Sequence, residues 1–122
     1  MTDQPRKWFQ TTAIDYPNSR PHIGTAFEKL GADVQARYRR MEGFDVFFLM
    51  GNDENTAKVS KRAAELGVPT QAYANDMARQ FREVWDALDI SYDAFVQYSP
   101  KVFSSSPYPI PVMYVNRASN QT

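Results

Sequence analysis

The sequence predicts an α/β fold, the first half of a parallel sheet with its covering helices, and three observations carry that reading. A strand-forming run rich in aromatic and β-branched residues, KWFQTTAI at 7–14, comes first. A long segment with helical period follows from Ile23. The next run, DVFFLM at 45–50, is apolar after its first residue instead of alternating, as in a strand covered on both faces. Strand, helix and strand at this spacing form one parallel unit.

Each element has its own signal. The first run stops at Asp15, Tyr16, Pro17 and Asn18, a turn composition. The helix has apolar positions at Ile23, Phe27, Leu30, Val34, Tyr38 and Met41, with Glu28, Lys29, Gln35, Arg39 and Arg40 on its other faces, and Gly43 as its stop. A second helix is predicted over 56–66, ended by Gly67 and Pro69. Thr70 is the expected cap of a third, whose buried stripe would be Tyr73, Met77, Phe81, Val84 and Leu88. A short extended piece follows at 94–98. The domain is expected over 1–100; the remaining 101–122, with a serine triplet and prolines at 107, 109 and 111, reads as an irregular, polyproline-like tail.

Composition narrows the function classes. The chain has 122 residues, enough for one core and one site. Fourteen basic residues balance fourteen acidic ones, so no global field draws it to nucleic acid or to an acidic membrane. With no cysteine there is no disulfide framework, zinc ribbon or thiol nucleophile. The longest apolar run, 46–50, cannot span a bilayer, and the polar start lacks the core of a signal peptide, so the cytoplasm is the expected location. Composition assigns no oligomeric state.

The single histidine, His22, stands just before the first helix, with Gly24 two residues on. In an open parallel sheet, ligands bind outside the carboxyl ends of the strands, where helix N-termini with free backbone amides favour phosphate. Gly24 would allow a bulky ligand close to the backbone. The second strand runs into Gly51, Asn52, Asp53, Glu54 and Asn55, which puts carboxylates at the neighbouring strand end. One of them can bind a substrate ammonium; equally, the segment can be a capping turn for the next helix.

Four segments in this order, TTAIDYPNSRPHIGT, GADVQARYRRMEGFDVFFLMGNDEN, KRAAELG and DISYDAF, resemble the N-terminal part of the catalytic domain of methionyl-tRNA synthetases, which are class I aminoacyl-tRNA synthetases. The likeness runs over about 8–98. It implies the first half of a Rossmann-type, HUP-like nucleotide-binding domain. The implied reaction condenses methionine with ATP to methionyl adenylate and pyrophosphate, then transfers the methionyl group to tRNA. Motif by motif, His22, Ile23, Gly24 and Thr25 fall on the family's HIGH sequence, which implies ATP binding by His22, Gly24 and Thr25 and catalytic roles for His22 and Thr25. Ile14, Tyr16 and Asp53 fall where the family binds the amino acid, with Asp53 holding its ammonium and Glu54 as its neighbour. ATP with Mg²⁺ is the implied cosubstrate, tRNA a partner only of a complete protein, and no zinc site is expected in this chain.

The departures are equally specific. Thr25 replaces the second histidine of HIGH, keeping a hydroxyl but no positive charge. Asn55 and Thr56 stand where many relatives have His-Gly. The run Lys58, Val59, Ser60, Lys61, Arg62 looks like a KMSKS loop but comes far too early and inside a helix, so a solvated helix face is expected there. The second half of the fold, the true KMSKS loop and an anticodon-binding domain have no counterpart in the sequence. The chain is therefore expected to be a fragment, inactive alone, and the abrupt end of the likeness near Ser99 is what a shifted reading frame or a truncation would produce. Two alternatives stay open: a non-enzymatic remnant that binds a nucleotide or a partner, and a small HxGH-type nucleotidyltransferase.

Overall fold

A computed structural model describes residues 4–54, 56–98 and 116–117. Strand β1 (Lys7–Thr11) leads to helix α1 (Ile23–Met41), strand β2 (Asp45–Asp53), helices α2 (Ala57–Glu65) and α3 (Thr70–Ala87), and strand β3 (Ala94–Tyr98). The two residues of β4 (Asn116–Arg117) complete a sheet of order β1-β2-β3-β4. The expected tail lies outside the described residues except for β4, which pairs antiparallel with Ala94 and Phe95. The three main strands are parallel, with Lys7 opposite Asp45 and Leu49 opposite Ala94. Both crossovers step in one direction, and right-handed connections then put α1 and α3 on the same face of the sheet. There Phe48, Met50 and Phe95 pack against Ala36, Met77, Ala78, Phe81, Trp85 and Ile90.

Several boundaries move from their expected places. β1 ends at Thr11 and not at residue 14; the chain then returns to the sheet at a single bridge between Asp15 and Asn52. β2 runs on to Asp53 because Gly51, Asn52 and Asp53 pair with Val96, Gln97 and Tyr98. That approach requires glycine: a Cβ on Gly51 would lie 2.4 Å from the Val96 carbonyl oxygen. Thr70 is the first residue of α3 and not its cap; Pro69 flanks the helix and offers no side-chain hydrogen bond. The glycine stops hold, with Gly43 and Gly67 at φ of 81° and 69°. In α3, Met77 and Phe81 are buried as expected, but Trp85 and Ala78 complete the inner face, whereas Leu88 is exposed.

Helix α1 presents its polar side to the protein. Its apolar stripe faces outward, with Ile23, Phe27 and Met41 at 88%, 79% and 85% exposure, while Lys29, Asp33 and Ala36 are buried. The inner face combines small apolar residues, Ala26, Ala32 and Ala36, with a set of polar bonds. Asp33 accepts from the Ser91 amide and hydroxyl at 2.7 and 2.5 Å and from Arg37 Nε at 2.8 Å. Arg40 reaches the Ser91 carbonyl and Asp93 Oδ2, both at 3.0 Å. Asp93 closes the clamp by accepting from the Phe48 amide at 2.7 Å. Burial raises the Asp33 carboxyl, but the Ser91 bonds and the Arg37 guanidinium outweigh it and hold the group below its ordinary value.

Candidate functional site at the strand ends

The loop from β1 to α1 and the end of β2 meet at the carboxyl edge of the sheet. The Asp53 amide donates to the Asp15 carbonyl at 2.9 Å, and the Asp15 amide to Gly51 O at 3.4 Å. This pairing carries Ile14 and Tyr16, on either side of Asp15, to the strand end that bears Asp53. Ile14 and Tyr16 are both exposed there. Lys58, on the first turn of α2, places its ammonium 5.9 Å from the centre of the Tyr16 ring. The loop is fixed at its far side by Tyr73, whose hydroxyl donates to Asn18 O at 3.0 Å, and by Arg20, whose Nε donates to Gln80 at 2.8 Å.

His22 is the cap of α1. Its extended backbone precedes the helix, and its Nδ1 accepts from the Gly24 amide at 3.1 Å, so the ring proton sits on Nε2. Nε2 lies 3.4 Å from the Thr25 hydroxyl. His22 and Thr25 thus form one small donor group at the positive end of the α1 dipole. Gly24 also has a reason internal to the chain. A Cβ there would stand 3.0 Å from Cε1 of His22, so the glycine makes room for the imidazole to fold back onto the helix.

The acidic pair at the end of β2 divides. Asp53 closes the strand, while Glu54 is buried and accepts from Gln97 at 2.5 Å and Gln71 at 3.4 Å, which ties it to β3 and α3. The capping-turn reading of this segment does not hold, because Gly51, Asn52 and Asp53 are strand residues paired with β3; the cap of α2 is Thr56, whose Oγ1 accepts from the Val59 amide at 3.2 Å. The KMSKS-like run lies within α2: Val59 is in the core, Lys61 is exposed, and Arg62 pairs with Glu65 at 2.9 Å.

The residues missed by sequence reasoning lie directly beneath. Lys29 is fully buried, and its ammonium contacts the Ala13 carbonyl at 2.7 Å, Glu28 at 2.9 Å and Asp15 Oδ2 at 3.1 Å. Glu28 also accepts from the Ala13 amide at 3.0 Å. Asp15 Oδ2 receives no well-aligned hydrogen bond despite that charge contact. Burial lifts the Asp15 carboxyl above its ordinary value, an effect that the nearby Lys29 ammonium offsets only in part and that Glu28 reinforces. A lysine on a helix normally reads as solvent-facing; the available signal was an aspartate set between Ile14 and Tyr16, the one acidic residue of this loop.

Comparison with known proteins agrees with this geometry. A family model described as tRNA synthetases class I (M) matches residues 8–103. The methionine–tRNA ligase of Streptococcus pneumoniae is 45% identical over 92 residues, and that of Deinococcus radiodurans 50% over 93; each match covers 75% of this chain and 14% of the relative. Among solved structures, Mycobacterium tuberculosis methionyl-tRNA synthetase in complex with methionyl-adenylate superposes with a TM-score of 0.73 at 44% identity, covering 75% of this chain and 18% of the other. The chain spans about one seventh of the length of these curated relatives. The family model over residues 8–103 and the identity to these ligases establish that the chain belongs to the class I methionyl-tRNA synthetase family and corresponds to the start of its catalytic domain.

Proposed function

We propose that this chain supplies the methionine- and ATP-binding edge of a methionine–tRNA ligase, the complete reaction belonging to a longer protein. The observation that carries the reading is the backbone bond from Asp53 to Asp15, which sets Ile14, Tyr16 and Asp53 at one strand end beside the His22 cap of α1. In this reading Asp53 takes the substrate ammonium through a charge-assisted hydrogen bond, and Ile14 and Tyr16 form part of the wall around the methionine side chain. The methionine carboxylate would then attack the α-phosphorus of ATP, with pyrophosphate leaving. His22 Nε2–H and the Thr25 hydroxyl would donate to the phosphate oxygens at the helix N-terminus. Positioning and electrostatics do the work, with no protein nucleophile.

Among the described residues no group of three or more His, Cys, Asp or Glu is placed to hold a metal ion. Mg²⁺ fits this site as part of the ATP substrate, shielding its phosphates, and no step is assigned to it through a side chain. Transfer to tRNA requires parts of the longer protein. No helix among the described residues is long and apolar enough to cross a membrane; the cytoplasmic assignment belongs to this proposal.

The test is calorimetric binding of a non-hydrolysable methionyl-adenylate analogue to the full chain. Saturable binding that Asp53→Asn and His22→Ala each weaken at least tenfold supports the reading. If AMP binds equally well and the methionyl group adds nothing, a nucleotide-binding remnant is the better account. The nucleotidyltransferase alternative is superseded by the family assignment.

A further inference from the structure

Lys29 has no part in the site just described, yet it is fully buried beneath it. Lysine is almost never buried completely unless its charge is matched, and here the ammonium donates to Ala13 O and Glu28 and lies 3.1 Å from Asp15 Oδ2 as a charge contact. Glu28 holds the amide of the same Ala13. Both peptide groups of Ala13 are therefore held from α1, while the backbone of Asp15 is held from β2 on the opposite side. Ile14 lies between these two restraints and Tyr16 directly follows them. Asp15 and Asn52 are bridge partners, so strand alternation turns their neighbours, Tyr16 and Asp53, toward the other side of the sheet from Lys29.

We propose that Lys29 is a positioning residue for the amino-acid pocket: its ammonium, through Asp15 and the Ala13 carbonyl, sets the segment that carries Ile14 and Tyr16 against Asp53. A pair retained only for stability would be a poor choice, because matched apolar residues of similar volume commonly serve as well or better. What an ion pair adds is direction. It specifies where the Ala13 carbonyl and the Asp15 carboxylate lie, and hence the register of the loop. The inference rests on the reading that Ile14, Tyr16 and Asp53 receive methionine.

The test uses the full chain and the double variant Asp15→Asn/Lys29→Met, which removes both charges together and so avoids stranding either one. Three quantities are measured: affinity for the methionyl-adenylate analogue, affinity for AMP, and the backbone amide resonances of residues 13–16 and 53. The expected result is a folded variant whose analogue affinity falls by about ten- to a hundredfold, as when a group that orients a binding residue is removed. AMP affinity should stay unchanged, since His22 and Gly24 are untouched. In the unsubstituted chain the analogue affinity should also carry a pH dependence from Asp15, which is faced by Lys29 and Glu28 on α1 and His22 at its start, and this leg should vanish in the variant. Equal affinities for both ligands in variant and parent would overturn the proposal, as would equal losses for both. If the parent binds neither ligand, the functional reading itself has failed, and the amides decide: shifts confined to 13–16 and 53 sustain the positioning role, and unchanged resonances there end it.

Discussion

The Thr25 hydroxyl stands 3.4 Å from Nε2 of His22, one turn into the same helix. The family's second histidine is thus replaced by a group that touches the first. If the hydroxyl serves as a phosphate donor, Thr25→Val should lower methionine-dependent ATP–pyrophosphate exchange by on the order of 10²-fold, the usual effect of one lost transition-state donor. The assay vehicle is a chimera that carries residues 8–98 within a complete relative. Thr25→His in the same chimera should match or exceed the parent rate. Exchange that is indifferent to both changes would remove Thr25 from the machinery.

The clamp around Asp33 predicts both a stability loss and a pH dependence. Asp33→Ala leaves the partly buried Ser91 amide without its acceptor and should cost about 1–3 kcal/mol in urea unfolding. The folded-state carboxyl lies below its unfolded value, so its stabilisation is present above the ordinary value of 3.8 and disappears as the pH falls through the folded value. Asp33→Asn should flatten the acid limb of the stability curve. An unchanged limb would show that Ser91 and Arg37 do not hold the ionised form.

Gly51 is a second point of low tolerance. An added Cβ meets backbone and not a movable side chain, so Gly51→Ala must push β3 away from β2 and should cost about 1–3 kcal/mol. Amide exchange in Ala94–Tyr98 should accelerate first. Protection equal to the parent would mean that the strands accommodate the methyl group.

On α1 the ordinary expectation for apolar residues is reversed. Phe27→Ser and Val34→Glu remove exposed apolar groups and should change stability by no more than about 0.5 kcal/mol while reducing self-association in sedimentation experiments. Ala36→Leu, one of the buried positions on the same helix, should cost about 1–3 kcal/mol. A large loss from Phe27→Ser would place that side chain in a contact.

The strands and helices were legible because their periods are local properties. A continuous apolar run at 45–50 and apolar spacing of three and four from Ile23 need no distant contact to be read. The candidate site at the strand ends was legible for the same reason, since a histidine before a helix and carboxylates after a strand are fixed by chain order alone. The side of α1 that turns inward was not. Amphipathicity says that a helix has two faces, and only the position of the sheet and α3 decides which is covered; here Asp33 and Lys29 go in because Ser91 and Asp15 are there to receive them. The end of β2 was equally a tertiary matter, as Gly51 joins the strand only when Val96 lies alongside. The sequence by itself determined the elements, their order and the residues gathered at the strand ends. Tertiary structure decided burial and charge pairing, because those depend on groups that are distant along the chain and adjacent only after folding.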